Sequence, residues 1–303
     1  MVINIINTNL KNNGDLLMKK ILILLILIVL ISSYFGSASA NLSERENIHL
    51  DEQLETLDFT HTVFAEECTA TWCPNCPFAA EALYNIYESG DYPFNYVALV
   101  DDMNPIAKDR NKDYSFGFYA IYAFPTVYFD GGNTNLIGRM TTVDATEDEY
   151  RDIIEEEGQR NPNQPLIIES SVSWDGNAKI TVTLTITNEG SKPYFGKLRS
   201  YVTEIESRWA NNDGIPYHFA LLDYAINQFI LLMPNSPKTI TGIFDGNDDH
   251  EGNIYEDISQ DNIQVISAIS HWIPQFRDGY QSGQYNQRYL RFVTDQSTAA
   301  IPE

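Results

Sequence analysis

Past residue 57 the chain carries two kinds of hydrophobic patterning, and the change falls near residue 160. Residues 62–68 read as a strand, and 76–89 as a helix because Phe78, Ala79, Leu83, Ile86 and Tyr87 recur on one face. Gly90 supplies the stop. Residues 94–100 are a near-continuous apolar run of strand length, which suits a parallel strand covered on both faces. Asn104-Pro105 opens a helical stretch to about residue 116, 126–129 reads as a strand, and Asp130-Gly131-Gly132-Asn133 turns into a strand over 136–140. Thr146 and Glu149 form a capping box ahead of the apolar face of Tyr150, Ile153 and Ile154. The order β-α-β-α-β-β-α predicts an α/β unit ending near Arg160.

Asn161-Pro162-Asn163-Gln164-Pro165 reads as a linker, and beyond it the period becomes two. Over 179–187 Ile180, Val182, Leu184 and Ile186 share one face between polar neighbours. Strands are also expected over 166–174, 196–203, 239–244, 263–270 and 289–294, whereas 215–233 fits less well and is read as containing a short helix. Short strands separated by turn signals predict an all-β, immunoglobulin-like sandwich. The expected division is a leader and signal over 1–40, a polar lead-in over 41–57, an α/β domain over 58–160, a linker over 161–165 and a β-sandwich over 166–303.

Lys19 and Lys20, the apolar run 21–31 and Ala38-Ser39-Ala40 are the three parts of a cleavable export signal. Its apolar centre is short for a bilayer span, although Tyr34 and Phe35 extend it enough to keep a retained anchor as the alternative. The cleaved protein is expected outside the cytoplasm, secreted, periplasmic or at the cell surface, with no membrane span. Nineteen basic residues against 42 acidic ones give a net charge of -23. Such a field repels nucleic acid, so none is expected as a partner.

The cysteines are three, Cys68, Cys73 and Cys76, crowded into one short stretch: a local chemical site and no disulfide framework. A zinc site needs four ligands, and only Cys68, His49 and His61 accompany the pair. A purely structural disulfide across so short a loop stabilises little, because the entropy removed from the unfolded chain grows with loop length. The redox reading is favoured because the pair sits where a strand ends and a helix begins. There, unpaired N–H groups and the helix dipole stabilise a thiolate at Cys73, while Cys76, a turn inside, resolves. Cys68 reads as a small buried spacer, with a second resolving thiol or an oxidisable thiol as alternatives.

Trp72-Cys73-Pro74-Asn75-Cys76-Pro77, followed after a strand and a helix by Tyr119-Ala120-Ile121-Tyr122-Ala123-Phe124-Pro125-Thr126, resembles the thioredoxin superfamily, with Ala120 where a Gly is usual. The resemblance covers about residues 58–160. It implies a thioredoxin-like fold, a cis-proline at Pro125 facing the cysteine pair, and a substrate groove involving Trp72, Pro74, Asn75, Phe124 and Thr126. It also implies a buried acid at Glu67 that takes the proton of the resolving thiol, provided that Glu67 and not Glu66 points inward. Trp72 is expected to shield the disulfide, and Asn75 brings no positive charge of its own. No cofactor is implied beyond a redox-active Cys73–Cys76 disulfide; the partners are protein thiol or disulfide clients, or an envelope redox partner.

The longer segment Glu66-Glu67-Cys68-Thr69-Ala70-Thr71-Trp72-Cys73-Pro74-Asn75-Cys76-Pro77 is similar to one in the twenty-eight-kilodalton outer-membrane protein family, with Cys68 replacing an aromatic. Those are exported thioredoxin-like proteins with a β-rich carboxyl-terminal part, so this match bears on architecture and export more than on chemistry. The function expected is an exported thiol–disulfide oxidoreductase; the alternative is a non-catalytic envelope or surface protein using the same fold as a binding module. A weaker constellation, Asp245, Asn247, Asp249, Asn253 and Glu256, has the oxygen spacing of a calcium loop, but His250 stands where a Gly is expected and flanking helices are missing. A solvated acidic loop is the alternative there. His218, between Tyr217 and Phe219, reads as a packed or hydrogen-bonded residue.

Overall fold

The structure, a computed structural model, describes residues 58–114, 123–281 and 284–303. The leader, the export signal, the lead-in and Tyr119 to Tyr122 lie outside the described residues. Strands β1 (Val63–Thr69) and β2 (Phe94–Val100) run parallel, Val63 opposite Phe94, and every residue of both is buried. Covered on both faces, neither strand shows a polar alternation. Between them α1 (Cys76–Ser89) buries Ala79, Ala82, Leu83 and Ile86, and ends at Gly90, whose N–H reaches Tyr87 O from a left-handed φ of 65°. Helix α2 (Pro105–Asp113) is capped by the Asn104 side chain, which accepts from the N–H groups of Ile106 and Ala107.

Strand β3 (Thr126–Phe129) pairs antiparallel with β1 and turns into β4 (Thr134–Ile137). At that turn Gly131 has φ 65°, and a Cβ there would lie 2.0 Å from Phe292 O, so both the backbone and the space demand glycine. Helix α3 (Val143–Gly158) begins one turn before the expected capping box: Thr142 accepts from Ala145 N–H at 3.1 Å. Thr146 sits buried inside the helix, its hydroxyl donating to Thr142 O at 2.7 Å. Both threonines carry cap chemistry, and the packing of Val143 against the core favours the earlier one.

The remaining strands are β5 (Leu166–Gly176), β6 (Lys179–Asn188), β7 (Tyr194–Ala210), β8 (Pro216–Leu232), β9 (Lys238–Asp245), β10 (Ile263–His271), β11 (Gln275–Gln281), β12 (Gln284–Arg291) and β13 (Thr294–Ala300). β5, β6 and β9 form a three-stranded sheet, and β11 with β12 a hairpin. The other strands of this half join the first half in one mixed eight-stranded sheet, β13-β10-β7-β8-β2-β1-β3-β4, where β8 meets β2 at Ala98 opposite Ala220. The expected linker over 161–165 therefore does not separate two sheets, and Leu57–Glu303 forms one compact unit. A sandwich layer does exist. Ile180, Val182, Leu184 and Ile186 share a core with Leu198, Val202, Leu222, Ile226, Val265 and Ile269, but the facing sheet is continuous with the α/β half.

The short helix expected over 215–233 is instead the long strand β8. Phe219 and Leu221 belong to the core of the α/β half, whereas Ala220 and Leu222 pack with β6. A strand buried on both faces reads as an uninterrupted apolar run, in which period alone does not separate strand from helix. The segment after α3 is clamped. Arg160 donates to Asp130 Oδ2 at 3.0 Å, Asp295 Oδ1 at 3.3 Å and Thr294 O at 2.5 Å. Asn163 N–H reaches the same Asp295 at 2.9 Å, and His61 Nε2 lies 2.5 Å from Asp130. Among the described residues no helix is long and apolar enough to cross a membrane.

Candidate active site: a disulfide at the start of a helix

Cys73 and Cys76 are joined as a disulfide with Cα atoms 5.5 Å apart. Cys76 is the first residue of α1, and its N–H donates to Cys73 Sγ at 3.1 Å. One of the helix's orphan donors is thus spent on the sulfur ahead of it, which is the arrangement that favours a thiolate. The loop is tied down by Cys73 N–H to Ala70 O at 3.1 Å and by Thr71 N–H to Asp102 at 3.0 Å. Cys73 is 1% and Cys76 0% exposed, in a small cluster with Ala70 and Phe124.

The shield over the pair is Phe124 and not Trp72. Trp72 is 62% exposed and meets the Phe124 ring edge-on at 5.9 Å. Phe124–Pro125 is a cis peptide. It immediately precedes β3, whose first residue Thr126 lies opposite Cys68, so the cis-proline and the disulfide loop share the end of the sheet where β1 stops. Thr126 is buried and donates from Oγ1 to Ala123 O at 2.8 Å, while Pro74 and Asn75 are exposed.

Strand parity separates the two adjacent glutamates. Glu67 shares its face with Ala65, Tyr96 and Phe129, and these meet the helices: Tyr96 touches Tyr87 of α1 and Phe129 touches Tyr150 of α3. Glu66 lies on the other face, gripped by Arg110 Nε and Nη2 at 2.8 and 2.6 Å, by Tyr114 and by Tyr201 OH at 2.9 Å. Burial pushes the Glu66 carboxyl up, but Arg110 and its hydrogen bonds more than offset this and hold it below the usual range. Glu67 has no such cation. Its carboxylate oxygens are buried without a hydrogen-bond partner among the described residues, and burial pushes it up to about 8.

Cys68 has the parity of Glu66, and so faces away from α1 and the disulfide. It is wholly buried, and burial with Glu66 nearby drives its thiol well above the usual range. A spacer role follows, and we expect Cys68→Ala to cost about 1 kcal/mol by urea denaturation while leaving disulfide exchange at Cys73 unchanged. Loss of exchange in that variant would assign the thiol a part in the chemistry.

In the Asp245-to-Glu256 segment the oxygens of Asp245 and Asp249 are already engaged. Asp245 pairs with Lys179 at 3.2 Å and accepts from Asn247 Nδ2 at 2.8 Å, and Asp249 Oδ1 accepts from Gly252 N–H at 2.6 Å. His250 is buried against Phe244, with Nδ1 2.6 Å from Asp223. Among the described residues no three His, Cys, Asp or Glu side chains are grouped so as to hold a metal ion. His218 is packed as expected, stacked on Tyr84 with centroids 3.6 Å apart and Nδ1 3.0 Å from Ile205 O. It lines a cavity of about 360 Å³ beside α1, together with Pro77, Ala80, Asp213 and Ile215.

Sequence spacing gives no sign of one neighbour. Arg139, between β4 and α3, donates from Nε to Asn75 Oδ1 at 3.1 Å and lies 3.7 Å over the Phe78 ring. The cation that Asn75 lacks is thus brought to it from 64 residues away.

No protein-family model matches the chain, and no curated protein matches it. Among solved structures it is similar to HBP35 of Porphyromonas gingivalis, at 13% identity and a TM-score of 0.55, covering 80% of this chain and 76% of that one. A protein of Agrobacterium tumefaciens follows at 15% identity and TM-score 0.44, covering 80% of this chain and 95% of that one. A β-glucosidase from Kluyveromyces marxianus shares 11% identity over 46% of this chain and 15% of its own, at TM-score 0.26. The last two superpose too loosely to bear on the architecture. The likeness to HBP35 speaks to fold alone; the described residues of this chain form a β-rich structure with a mixed sheet and few helices, and its disulfide stands at the start of α1.

Proposed function

We propose that the chain is an exported thiol–disulfide oxidoreductase of thioredoxin-like plus immunoglobulin-like type, related to the twenty-eight-kilodalton outer-membrane protein family, acting on protein clients outside the cytoplasm. One observation carries the reading: the Cys73–Cys76 disulfide receives the first N–H of α1, at the sheet end where the cis Phe124–Pro125 peptide enters β3. In the oxidising direction a client thiolate attacks Cys73 Sγ, the Cys73–Cys76 bond breaks, and Cys76 leaves as a thiolate that takes its proton from Glu67. A second client thiolate attacks the client sulfur of the mixed disulfide and releases Cys73. The client loses two electrons and the protein gains them; a dithiol client and its disulfide exchange roles in the reverse direction.

A second reading has its own support. With Cys73 only 1% exposed, the sulfurs are sheltered beneath Phe124, as suits a non-catalytic envelope module that keeps its disulfide permanently. Trapping separates the two. Reduced Cys76→Ser protein is expected to form covalent mixed disulfides with clients, visible on non-reducing gels, and Cys73→Ser none. The wild type is expected to accelerate insulin reduction by dithiothreitol, and Cys73→Ser to fall to the uncatalysed rate. A Cys76→Ser protein that traps nothing, together with a wild type that does not turn over, would favour the module reading.

A further inference from the structure

We propose that Arg139 is the positioning residue that sets the reactivity of Cys73, by holding Asn75 and keeping a guanidinium at the amino-terminal end of α1. The inference rests on the thiol–disulfide reading and adds to it a residue that neither cysteine spacing nor the cis-proline identifies.

The arrangement is unfavourable for the helix. Asn75 is the N-cap of α1, a position where an Asn side chain normally accepts from the first turn and is worth roughly 1 kcal/mol, yet it makes no capping bond. Its Oδ1 accepts instead from Arg139 Nε at 3.1 Å. A cation there also opposes the helix dipole, whose positive end favours anions. No acidic residue occupies the first turn to offset it, and no carboxylate lies within ion-pair distance of Arg139 among the described residues. In a chain with 42 acidic residues that vacancy is notable.

Nor is the side chain loose. Nη1 donates to Met140 O at 2.6 Å and Thr141 O at 3.1 Å, and the guanidinium lies over Phe78 of α1. The preceding Gly138 has φ 84° and donates its N–H to Pro125 O at 2.7 Å, so one short segment joins the cis-proline to the Cys-Pro-Asn-Cys loop. Asp102, bonded to Thr71 of that loop, is acidic and opposes a thiolate, while Glu67 on the helix-facing side of β1 holds its proton at neutral pH and supplies no positive charge. The cation hydrogen-bonded to the loop is Arg139, and the charge missing from the oxidised state is the negative one that Cys73 acquires on reduction.

The test measures the thiol without a client. Reduced full-length protein is alkylated with iodoacetamide from about pH 5 to 10, and Cys73 modification, in which an S–C bond forms and iodide leaves, is followed by mass spectrometry. Arg139→Gln is expected to move the Cys73 midpoint up by about one unit and slow its alkylation at neutral pH about tenfold; Arg139→Lys should recover part of this. A tenfold change in the dithiol–disulfide equilibrium corresponds to about 30 mV, toward a more reducing protein, against a glutathione buffer. Circular dichroism controls for folding, with Phe78→Leu as a second variant that removes the ring under Arg139 and keeps the charge: it should leave the profile nearly unchanged. A folded Arg139→Gln protein with the wild-type profile and potential overturns the proposal, even if insulin turnover is intact. Conversely, absence of turnover in the wild type overturns the oxidoreductase reading while the alkylation shift still stands or falls by itself.

Discussion

Glu67→Gln should make the protein more stable at pH 8 and flatten the dependence of its stability on pH. The carboxyl is buried with no hydrogen-bond partner among the described residues and is pushed up to about 8 from an ordinary value of 4.5. Between those two values the folded protein holds a proton that the unfolded chain has lost, so stability is fully present below pH 4.5, falls as pH rises through 8, and is level above it. The shift corresponds to a loss of up to about 4–5 kcal/mol, a large part of the margin of a typical domain. Glutamine has the same shape and no charge to desolvate, so the variant should keep this increment across the window. Urea denaturation at pH 5 and 8 measures it directly, as the difference between wild type and variant. An equally steep fall in Glu67→Gln would place the titrating group elsewhere. Under the proposed oxidoreductase reading, the same proton is the one Glu67 would give to the Cys76 thiolate at neutral pH.

Arg110→Ala should be the most damaging single substitution on the opposite face, at about 3–5 kcal/mol. The guanidinium and the Glu66 carboxylate are both buried and doubly hydrogen-bonded, and Arg110 reaches Asp113 at 3.1 Å. Removing the arginine strands a carboxylate in the middle of β1, where Tyr114 and Tyr201 donate hydrogen bonds but no charge. The double variant Arg110→Met with Glu66→Gln removes both charges together and should recover most of the loss, since the pair's own attraction is largely spent on desolvation. Urea midpoints for the two variants decide the matter: a single-variant loss below about 1 kcal/mol, or a double variant no better than the single, would show that the ion pair is not what holds this face together.

Much of the site was legible because its chemistry is local. The cysteine pair, the helix that starts on Cys76 and stops at Gly90, and the proline before β3 lie in short stretches whose residue types impose their own backbone. Glu67 was legible as a candidate, but not its face, because Glu66 is also buried and only the partners across the sheet distinguish them. Arg139 was invisible, since its hydrogen bond to Asn75 depends on where the β4–α3 connection passes and not on spacing. In the fold, the alternation of β6 declared itself, whereas β8 did not, being apolar toward two cores at once. The union of the two halves had no sequence signature at all: it is made by a parallel neighbour whose register is a single pair of alanines.

That union sets how the chain must fold. Thr62 N–H bonds to Gln296, Asn95 of β2 to Ser297 and Arg160 after α3 to Asp295, so contacts between the α/β half and β13 close loops of more than a hundred residues. Each such closure takes chain entropy before it returns any burial, which puts the protein among slow, high-contact-order folders. The Cys73–Cys76 loop, by contrast, joins residues three apart in sequence and can close while the rest of the chain is still searching. The cysteine pair therefore needs none of the long-range closures to come together, whereas β13 and β8 tie the two halves into one sheet, and a single cooperative melting transition is expected for them.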